Sequence, residues 1–452
     1  MAILSRTGTR SIAFVLCLAW FFCQFKVGLA KGLHKVPDPG GAHPAAPLGG
    51  HQKPPGPVGA LPAGPGAQHK PRGAARLGTI FNVLQFGARS GARQSQSQPF
   101  VRTWRAACDF NGPASVVVPP GVFTLAETVF QGPCKGPPPT SITVQIQGTL
   151  KAVGDPSEYS DKYWISVEHV NGLLITGSGT IDGSGPSVWK YDDCKGNTNC
   201  ASLPSSMYFN EVQNAQIKGL RFLDSMGFHM HISNCAEFSI IGVHINAPRD
   251  SPNTDGMHIS RSSKVKVLRT TIGTGDDCIS IGQGAVDVTV NEVTCGPGHG
   301  ISVGSLGKLP DELDVNGVTV TNCTIIGTEN GIRIKTWPGS APSKALRMLF
   351  SNIVMDNVAN PIIIDQNYGS KDSKPSLVKL SDITYEDIRG TSSTPTAVSL
   401  SCSSGASCDN LMLNNIKLQP KIPTMRLDAT CKNAKVKYIG CQFPPPCAPH
   451  PP

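Results

Sequence analysis

The segments Ser263-Lys-Val-Lys-Val-Leu268, Val286-Asp-Val-Thr-Val290 and Val315-Asn-Gly-Val-Thr-Val320 alternate apolar with polar residues. Alternation with a period of two predicts short β-strands that are buried on one face. Similar segments recur on both sides of these three: Val170–Thr176, Val212–Leu220, Ala236–Val243, Leu346–Phe350, Ser376–Leu380 and Asp409–Leu413. The chain therefore contains a structural repeat that begins near residue 165.

The spacing of this repeat predicts the fold. Its apolar anchors are Ile217, Ile240, Val267, Val290, Val320, Phe350, Leu380 and Leu413, so the steps in residue number are 23, 27, 23, 30, 30, 30 and 33. Repeats of about 20 to 50 residues indicate a solenoid. Because no helical segments separate the strands, we expect an all-β, right-handed parallel β-helix with one coil per repeat. A β-sandwich is the alternative, but strands of a sandwich recur at roughly 8 to 12 residues.

Three carboxylates lie within the repeat. Asp255 closes Ser251-Pro-Asn-Thr-Asp255, and Asp276 and Asp277 occupy Gly275-Asp-Asp-Cys278. The residue numbers of Asp255 and Asp276 differ by 21, close to one coil, so we expect Asp255 and the aspartate pair to stack on adjacent rungs roughly 5 Å apart. Repulsion between the adjacent aspartates should raise the pKa of one of them, leaving an acid beside a base.

Other polar residues continue this pattern. His299, between Gly298 and Gly300, follows Cys278 at the same interval in residue number, and the alternating Arg333-Ile-Lys335 follows about one long coil later. All of these side chains can therefore face one groove. A calcium site or a polar turn is the alternative, but calcium prefers a cage of oxygen ligands, which a histidine, an arginine and a lysine do not supply.

The two ends of the chain differ from its centre in composition. Basic residues, an apolar stretch from Ile12 to Phe22 and small residues before position 30 predict a cleaved secretory signal, with an N-terminal membrane anchor as the alternative. The next stretch is rich in Pro, Gly and Ala, which favours a disordered linker or pro-segment, or a weak cationic tether to wall polymers. We expect four regions: signal peptide 1–30, linker 31–76, β-helix 77–441 and Pro-rich tail 442–452.

Charge and cysteine content constrain the partners and the compartment. Loss of three basic residues with the signal leaves +6 of the formal charge of +9, which suits a polyanionic partner. The chain has no basic run with interleaved aromatic residues, so the sequence does not predict nucleic-acid binding. No later apolar segment predicts a membrane span. We expect a secreted, extracellular protein, a monomer that needs no cofactor.

Thirteen of the 15 cysteines remain after signal removal. In an oxidising compartment most should pair and one should be left over. The expected short-loop pairs are Cys194–Cys200, Cys278–Cys295 and Cys402–Cys408. The chain has no Cys-x-x-Cys motif, so the cysteine spacing does not support a zinc site. One glycosylation sequon, Asn322-Cys-Thr324, falls in a predicted strand.

The chain resembles the plant polygalacturonases, pectin-cleaving glycoside hydrolases built as parallel β-helices. The resemblance lies in four motifs that occur in the same order: Asn253-Thr-Asp-Gly256, Gly275-Asp-Asp-Cys278, Cys295-Gly-Pro-Gly-His-Gly300 and Arg333-Ile-Lys335. It covers about residues 80 to 441, and Ile301–Gly307, Lys335–Pro338 and Thr391–Pro395 are similar to pollen-type exopolygalacturonases. Release of single galacturonates from homogalacturonan is the implied activity, with endo action as the alternative.

Two segments depart from the pattern of that family. Residues 89–98 stand where members of the family usually carry an acidic stretch. This difference concerns the packing of the cap at the N-terminal end of the β-helix. Gly369 follows Tyr368 where a cysteine is common, so a family disulfide is missing at a loop that borders the groove.

The resemblance also implies catalytic roles. Asp276 would be the general acid with a raised pKa, Asp255 and Asp277 would hold and deprotonate the attacking water, and His299 would tune the acid and bind the sugar. The family inverts the anomeric centre. A one-rung separation of about 5 Å is nearer to the spacing of retaining enzymes, so side-chain direction decides the outcome.

The remaining predicted residues bind substrate. Arg333 and Lys335 point to one strand face and suit a sugar carboxylate, whereas a surface salt bridge is the plain alternative. The resemblance adds Tyr368 and Asn253 to the sugar site, although a tyrosine that serves only packing is also consistent with the sequence. Three other functions remain open: a calcium-dependent pectate lyase, a rhamnogalacturonan hydrolase and a non-catalytic pectin-binding wall protein.

Overall fold

The computed structural model describes residues 78–137, 139–160, 162–192, 202–369 and 374–447. The predicted signal peptide and linker lie outside this part of the chain, as does the predicted Cys194–Cys200 disulfide. No helix within it is both long and apolar enough to cross a membrane.

The described residues form 32 β-strands, one α-helix and four 3₁₀ helices. The strands, numbered in chain order, are β1 Thr79–Asn82, β2 Ala114–Val118, β3 Val122–Leu125, β4 Thr128–Gln131, β5 Ile142–Ile146, β6 Thr149–Ala152, β7 Tyr163–Glu168, β8 Asn171–Gly177, β9 Thr180–Asp182, β10 Ser205–Asn210, β11 Gln213–Lys218, β12 Arg221–Leu223, β13 Met230–Ser233, β14 Ala236–Ile241, β15 His244–Asn246 and β16 Met257–Ser260. They continue as β17 Lys266–Leu268, β18 Thr271–Gly273, β19 Ile279–Ile281, β20 Val286–Asn291, β21 Thr294–Cys295, β22 Ile301–Leu306, β23 Val315–Thr321, β24 Thr324–Ile326, β25 Asn330–Thr336, β26 Ser343–Val358, β27 Asn360–Asp365, β28 Val378–Ser392, β29 Thr396–Ser401, β30 Cys408–Pro420, β31 Asp428–Lys432 and β32 Ala434–Phe443. The helices are α1 Ser97–Cys108 and the 3₁₀ turns Val83–Phe86, Pro156–Glu158, Gly185–Ser187 and Trp189–Tyr191.

The strands stack into two sheets in which neighbours along the stack are parallel. Eleven strands form a sheet that we call the narrow sheet: β4, β7, β10, β13, β16, β19, β22, β25, β27, β29 and β31. The other 21 form the broad sheet. Successive coils of the chain contribute strands to both sheets in turn, so the predicted all-β parallel β-helix is confirmed.

The strands predicted from the repeat belong to the broad sheet. Their anchors pair rung by rung from Ile217 as far as Phe350, as expected. The next predicted anchor, Leu380, is wrong, because Phe350 pairs with Tyr385, whereas Leu380 pairs with Ala345. Both candidates are buried residues of the 15-residue strand β28, in alternating stretches on either side of Asp382, so periodicity alone could not choose between them.

An apolar row runs through the interior behind the narrow sheet. Its members pair in register on successive strands and are 2% exposed or less: Phe209, Ile232, Ile259, Ile281, Val303, Ile334, Ile364 and Leu400. Each such side chain contributes about 1.5 to 3 kcal/mol when it leaves water. The row fixes the register of the narrow sheet, and with it the positions of the polar residues on the outer face.

Helix α1 covers the N-terminal coil and was not predicted. Phe100, Trp104 and Ala107 recur at helical spacing and are buried against β1, β2 and β4. Residues 89–98, the segment that departs from the family pattern, lead into this helix. Within this segment the Gln96 side chain accepts a hydrogen bond from the Arg89 backbone N–H at 2.9 Å. A side-chain hydrogen bond therefore holds the segment at the N-terminal end of the β-helix.

The predicted disulfides Cys278–Cys295 and Cys402–Cys408 are present, and Cys108–Cys134 and Cys431–Cys447 join them. Two described cysteines, Cys235 and Cys323, are free and buried, whereas the sequence predicted one. A cysteine can pack as a small apolar side chain, which its count does not reveal.

The sequon asparagine, Asn322, lies between β23 and β24 and not within a strand, so that placement is wrong. It is exposed and adopts a left-handed φ of 57°. Its amide donates to Asn291 and accepts from Asn352, both at 2.7 Å, forming a ladder at the turns.

Candidate active site

Asp255 and Asp277 each lie two residues before a strand of the narrow sheet, β16 and β19. Met257 pairs with Ile279, so one coil here advances the residue number by 22. Asp277 is therefore the rung neighbour of Asp255, so Asp255 stacks on the aspartate pair as expected, with a coil of 22 residues where the sequence suggested 21. The repeat predicts coil length only approximately, and in a strand a slip of one residue changes the face to which a side chain points.

Asp277 is the most buried member of the cluster, with 1% of its side chain exposed. One carboxylate oxygen accepts from Arg333 Nη2 at 2.7 Å and from the Ser302 hydroxyl at 2.7 Å. The other accepts from Lys335 Nζ at 2.7 Å. A buried carboxylate needs such partners to stay ionised, so Asp277 is a fixed negative charge.

Arg333 and Lys335 both lie on β25 and point to the same outer face, as the alternation predicted. They are buried, so the plain alternative of a surface salt bridge is wrong. Burial lowers the pKa of each cation, but the negative charge of Asp277 outweighs this and raises both pKa values above their usual range. Two cations share this one carboxylate, so the three groups together carry one positive charge.

Asp276 is the most accessible of the three aspartates, with 25% of its side chain exposed. Its Oδ1 lies 3.0 Å from His299 Nδ1 and accepts from the Asp277 backbone N–H at 2.7 Å. Burial raises the pKa of Asp276, but the hydrogen bond and charge of His299, together with Lys335, lower it on balance. The raised pKa that the sequence predicted for Asp276 is therefore not found in the free site.

The carboxyl with the raised pKa is that of Asp255. It is 5% exposed, and its Oδ2 accepts from the Ser280 hydroxyl at 2.7 Å. Burial is the largest cause of the raised pKa, and the negative charges of Asp276 and Asp277 add to it. Repulsion between carboxylates thus acts as the sequence predicted, but on the rung neighbour and not within the adjacent pair.

His299 links Asp276 to a second carboxylate. Its Nε2 lies 3.3 Å from Glu329 Oε2, and the hydrogen bond to Asp276 is the main cause of its raised pKa. The flanking glycines have left-handed φ values, and a Cβ at Gly300 would lie 2.0 Å from the Asn330 carbonyl oxygen. The glycines therefore allow close approach of neighbouring rungs, whereas the sequence suggested approach of a ligand.

Tyr368 lies at the same end of the site as the two cations. Its ring centre is 5.0 Å from Lys335 Nζ and 5.8 Å from Arg333 Cζ. Trp337 packs edge-on against this ring, and a Cβ at Gly369 would lie 2.6 Å from Trp337. The indole thus occupies the space beside Gly369, where the family commonly has a cysteine.

Asn253 is set apart from the other predicted residues. It is exposed, adopts a left-handed φ of 50°, and its side chain has no hydrogen-bond partner within the described part of the chain. Sequence reasoning missed Ser280, Ser302 and Glu329. Both serines follow a site residue by three positions, a spacing that could have identified them; Glu329 has no comparable signal.

A metal ion would find few free ligands here. Asp276, Asp277 and His299 offer three ligand atoms within 4.8 Å of one another. Both oxygens of Asp277, however, already accept from Arg333 and Lys335, cations that a metal ion would have to displace. This donor set favours proton transfer over metal binding.

Comparison with known proteins shows the same family along most of the chain. The model of the glycosyl hydrolases family 28 matches residues 108–441. An exopolygalacturonase of Platanus acerifolia is 40% identical over 377 residues, which cover 82% of this chain and 99% of that protein. A polygalacturonase of Nicotiana tabacum is 40% identical over 372 residues, 81% of this chain and 92% of that protein.

A solved structure gives the same fold. The exopolygalacturonase of Thermotoga maritima superimposes with a TM-score of 0.66 at 18% sequence identity, covering 80% of this chain and 91% of that one. At this identity the likeness concerns the parallel β-helix alone.

Proposed function

The chain belongs to the glycosyl hydrolases family 28 and is a glycoside hydrolase of the polygalacturonase type, and we propose that it is a secreted exo-acting enzyme that hydrolyses the α-1,4-galacturonosyl linkages of homogalacturonan with inversion. The observation that carries the proposal is the division of labour among the three aspartates. One is exposed to the groove, one is buried with a raised pKa, and one is fixed as an anion by two cations. Glycoside hydrolysis requires an acid and a base held in different protonation states.

Asp276 is the general acid in this proposal, because it alone among the three has a substantially exposed carboxyl that can reach a leaving oxygen. In the free site its bond with His299 lowers its pKa, so one proton is shared between the two side chains. Negatively charged galacturonates that enter the groove disfavour a further negative charge and raise the pKa of Asp276. Substrate binding thus moves the shared proton towards the leaving oxygen.

Asp255 and Asp277 hold the attacking water in this proposal. Asp255 accepts the proton of that water, and its raised pKa suits it to the role of base. Asp277 stays ionised between Arg333 and Lys335 and orients the water. Inversion is part of the same proposal, since it needs this water between base and sugar.

Arg333 and Lys335 bind the substrate carboxylate. Because they share a single anion, Asp277, they retain one positive charge for a galacturonate. Tyr368 lies beside both cations and places a ring at the sugar face, and exposed Asn253 completes the site from the turn before Asp255. A neutral, esterified sugar would gain less from this end of the site.

Secretion to the cell wall completes the proposal. The predicted signal peptide, residues 1–30, would be removed, the linker 31–76 would lead to the β-helix of residues 77–441, and residues 442–452 would form a short tail. Four disulfides among the described residues support an oxidising compartment. We expect the enzyme to act as a monomer on pectin without a cofactor.

Product analysis on a defined galacturonate oligomer tests the proposal. We expect single galacturonates and the oligomer shortened by one residue as the only early products, and NMR should show the released monomer first as the β-anomer, because the linkage is α. An early mixture of oligomers of several lengths with little monomer would mean endo action, and an unsaturated product would mean a lyase. Binding without any release of reducing sugar would mean a non-catalytic pectin-binding protein.

A further inference from the structure

A chain of hydrogen bonds reaches Asp255 from a neighbouring position on the narrow sheet. His258 Nδ1 lies 2.8 Å from the Ser280 hydroxyl, and that hydroxyl donates to Asp255 Oδ2 at 2.7 Å. When Asp255 is ionised, as the proposed base must be, it accepts the single hydroxyl proton of Ser280, so His258 supplies the proton of the other bond from Nδ1. The order of donation in that form is from His258 to Ser280 to Asp255.

The same arrangement holds the other buried aspartate, one rung further on. Ser302 pairs in register with Ser280 and donates to Asp277 Oδ1 at 2.7 Å. Its own oxygen accepts from Arg333 Nε at 3.0 Å. Each buried aspartate is thus held by a serine, and each serine is held by a donor from an adjacent rung.

The two donors differ in charge. Arg333 is a permanent cation and also bonds to Asp277 directly, which keeps that carboxylate ionised. His258 touches Asp255 only through Ser280, and its burial lowers its pKa to about 4, so it is neutral near pH 6. A neutral donor fixes the direction of the carboxylate without holding its negative charge.

The ring of His258 is held in this orientation from the opposite edge. A Cβ at Gly282 would lie 2.9 Å from His258 Cε1 and 3.0 Å from Nε2, so only a glycine leaves room for that edge. Phe228 stacks on the ring at 5.5 Å between centroids. Packing therefore directs Nδ1 towards Ser280.

We propose that His258 is the positioning residue of Asp255: acting through Ser280, it aims the carboxylate that takes the proton of the attacking water. This inference rests on the proposed hydrolytic function, in which Asp255 is the base. A base that is misdirected by a fraction of an ångström loses turnover while the substrate still binds. The effect should therefore fall on kcat and leave KM nearly unchanged.

Amide variants of His258 give a matched test on the full-length enzyme with polygalacturonate. An asparagine side chain can place its N–H near the position of Nδ1, whereas a glutamine places it near Nε2. We expect His258→Ala and His258→Gln to lose about ten- to a hundredfold in kcat, the range for outer hydrogen-bond partners of functional groups. His258→Asn should recover most of that loss, with KM the same in all three.

Two further variants keep the test informative if loss of the ring disturbs the fold. Gly282→Ala retains the ring but pushes its edge, and Ser280→Ala removes the middle link. Both should lower kcat while circular dichroism shows that the protein remains folded, and adding His258→Ala to Ser280→Ala should lower kcat no further, because the two act as one unit.

Full turnover of His258→Ala, or equal loss in the asparagine and glutamine variants, would overturn the positioning role. So would additive losses in the double variant. If the wild-type enzyme itself releases no galacturonate, the proposed function fails instead, so the two failures are distinguishable.

Discussion

The outer faces of the two sheets carry charged residues at the same rung spacing but in opposite environments. On the narrow sheet the side chains of Arg333 and Lys335 are 9% and 8% exposed, and that of Asp277 is 1% exposed. Lys264, which lies two residues before β17 of the broad sheet, pairs with Glu237 of β14 at 2.9 Å, yet their side chains are 60% and 53% exposed. The distances are alike, so burial is what distinguishes the two faces.

This difference shows that burial is what turns a row of charged residues into a functional site. Water and salt screen an exposed pair, which contributes little to stability or chemistry. The charges of a buried pair are less screened, so they shift the pKa values of neighbouring groups. Removal of one member destabilises the fold strongly, because it leaves a buried charge without a partner. The narrow sheet therefore carries a reactive cluster, and the broad sheet a solvated surface built on the same ladder.

The largest expected effect is that of Asp276→Asn on the narrow sheet. Loss of a general acid should lower kcat about a thousandfold. The melting temperature should stay close to that of the wild type, because Asp276 is partly exposed. Reducing-sugar release and thermal unfolding measure the two quantities.

The matched control is the same substitution on the broad sheet, Asp287→Asn, which removes an exposed carboxylate. It should keep full turnover. Substantial hydrolysis by Asp276→Asn would show that the acid lies elsewhere, and equal loss in both variants would erase the contrast between the sheets.

The sequence predicted the solenoid because coil length and alternation are properties of the chain itself. All nine segments quoted from the repeat supply strands of the broad sheet. Strands of the narrow sheet such as Ile279–Ile281 and Asn330–Thr336 are buried at every position, so burial does not alternate along them, and their apolar row emerges from pairing in space. The face that bears the site was thus the harder one to predict.

The predicted site residues lie together, apart from Asn253, but the sequence did not predict their environments. Spacing brought Asp255, Asp276 and His299 to one groove, yet the pairing of Met257 with Ile279 makes Asp277 and not Asp276 the rung neighbour of Asp255. The pKa values of these groups then follow from burial and from partners on other rungs, such as Glu329 beside His299. Such long-range contacts leave no mark in local sequence.

Lys335→Ala should show the next largest effect. It removes one of two cations from the buried Asp277, so we expect the free energy of unfolding to fall by about 3 kcal/mol. KM for polygalacturonate should rise far more than KM for a methyl-esterified polymer, since the excess positive charge is lost. Chemical denaturation and steady-state kinetics test both parts.

Lys264→Ala is the matched control, because it removes an exposed lysine from an ion pair of similar length on the broad sheet. Its stability and KM should equal those of the wild type. The contrast between the sheets would break if this variant lost as much stability as Lys335→Ala. Equal changes in KM on the acidic and the esterified polymer would mean that Lys335 does not bind a carboxylate.

The smallest effect belongs to Glu329, which shares features of both faces. It contacts His299 Nε2 at 3.3 Å, but 57% of its side chain is exposed. The hydrogen bond with Asp276 is the main cause of the raised pKa of His299, and the charge of Glu329 adds to it. His299 therefore stays protonated above pH 6.5, its ordinary pKa, and loses its proton only as the pH rises further.

Glu329→Gln should lower the pKa of His299, because it removes a negative charge that favours the protonated ring. The shared proton is then lost at lower pH, so the alkaline limb of the pH profile of kcat/KM should move to lower pH. High salt should reduce the difference between variant and wild type, since it already screens an exposed carboxylate. Glu237→Gln on the broad sheet should leave the profile unchanged. An alkaline limb that stays in place in Glu329→Gln at low salt would assign that limb to a group other than His299.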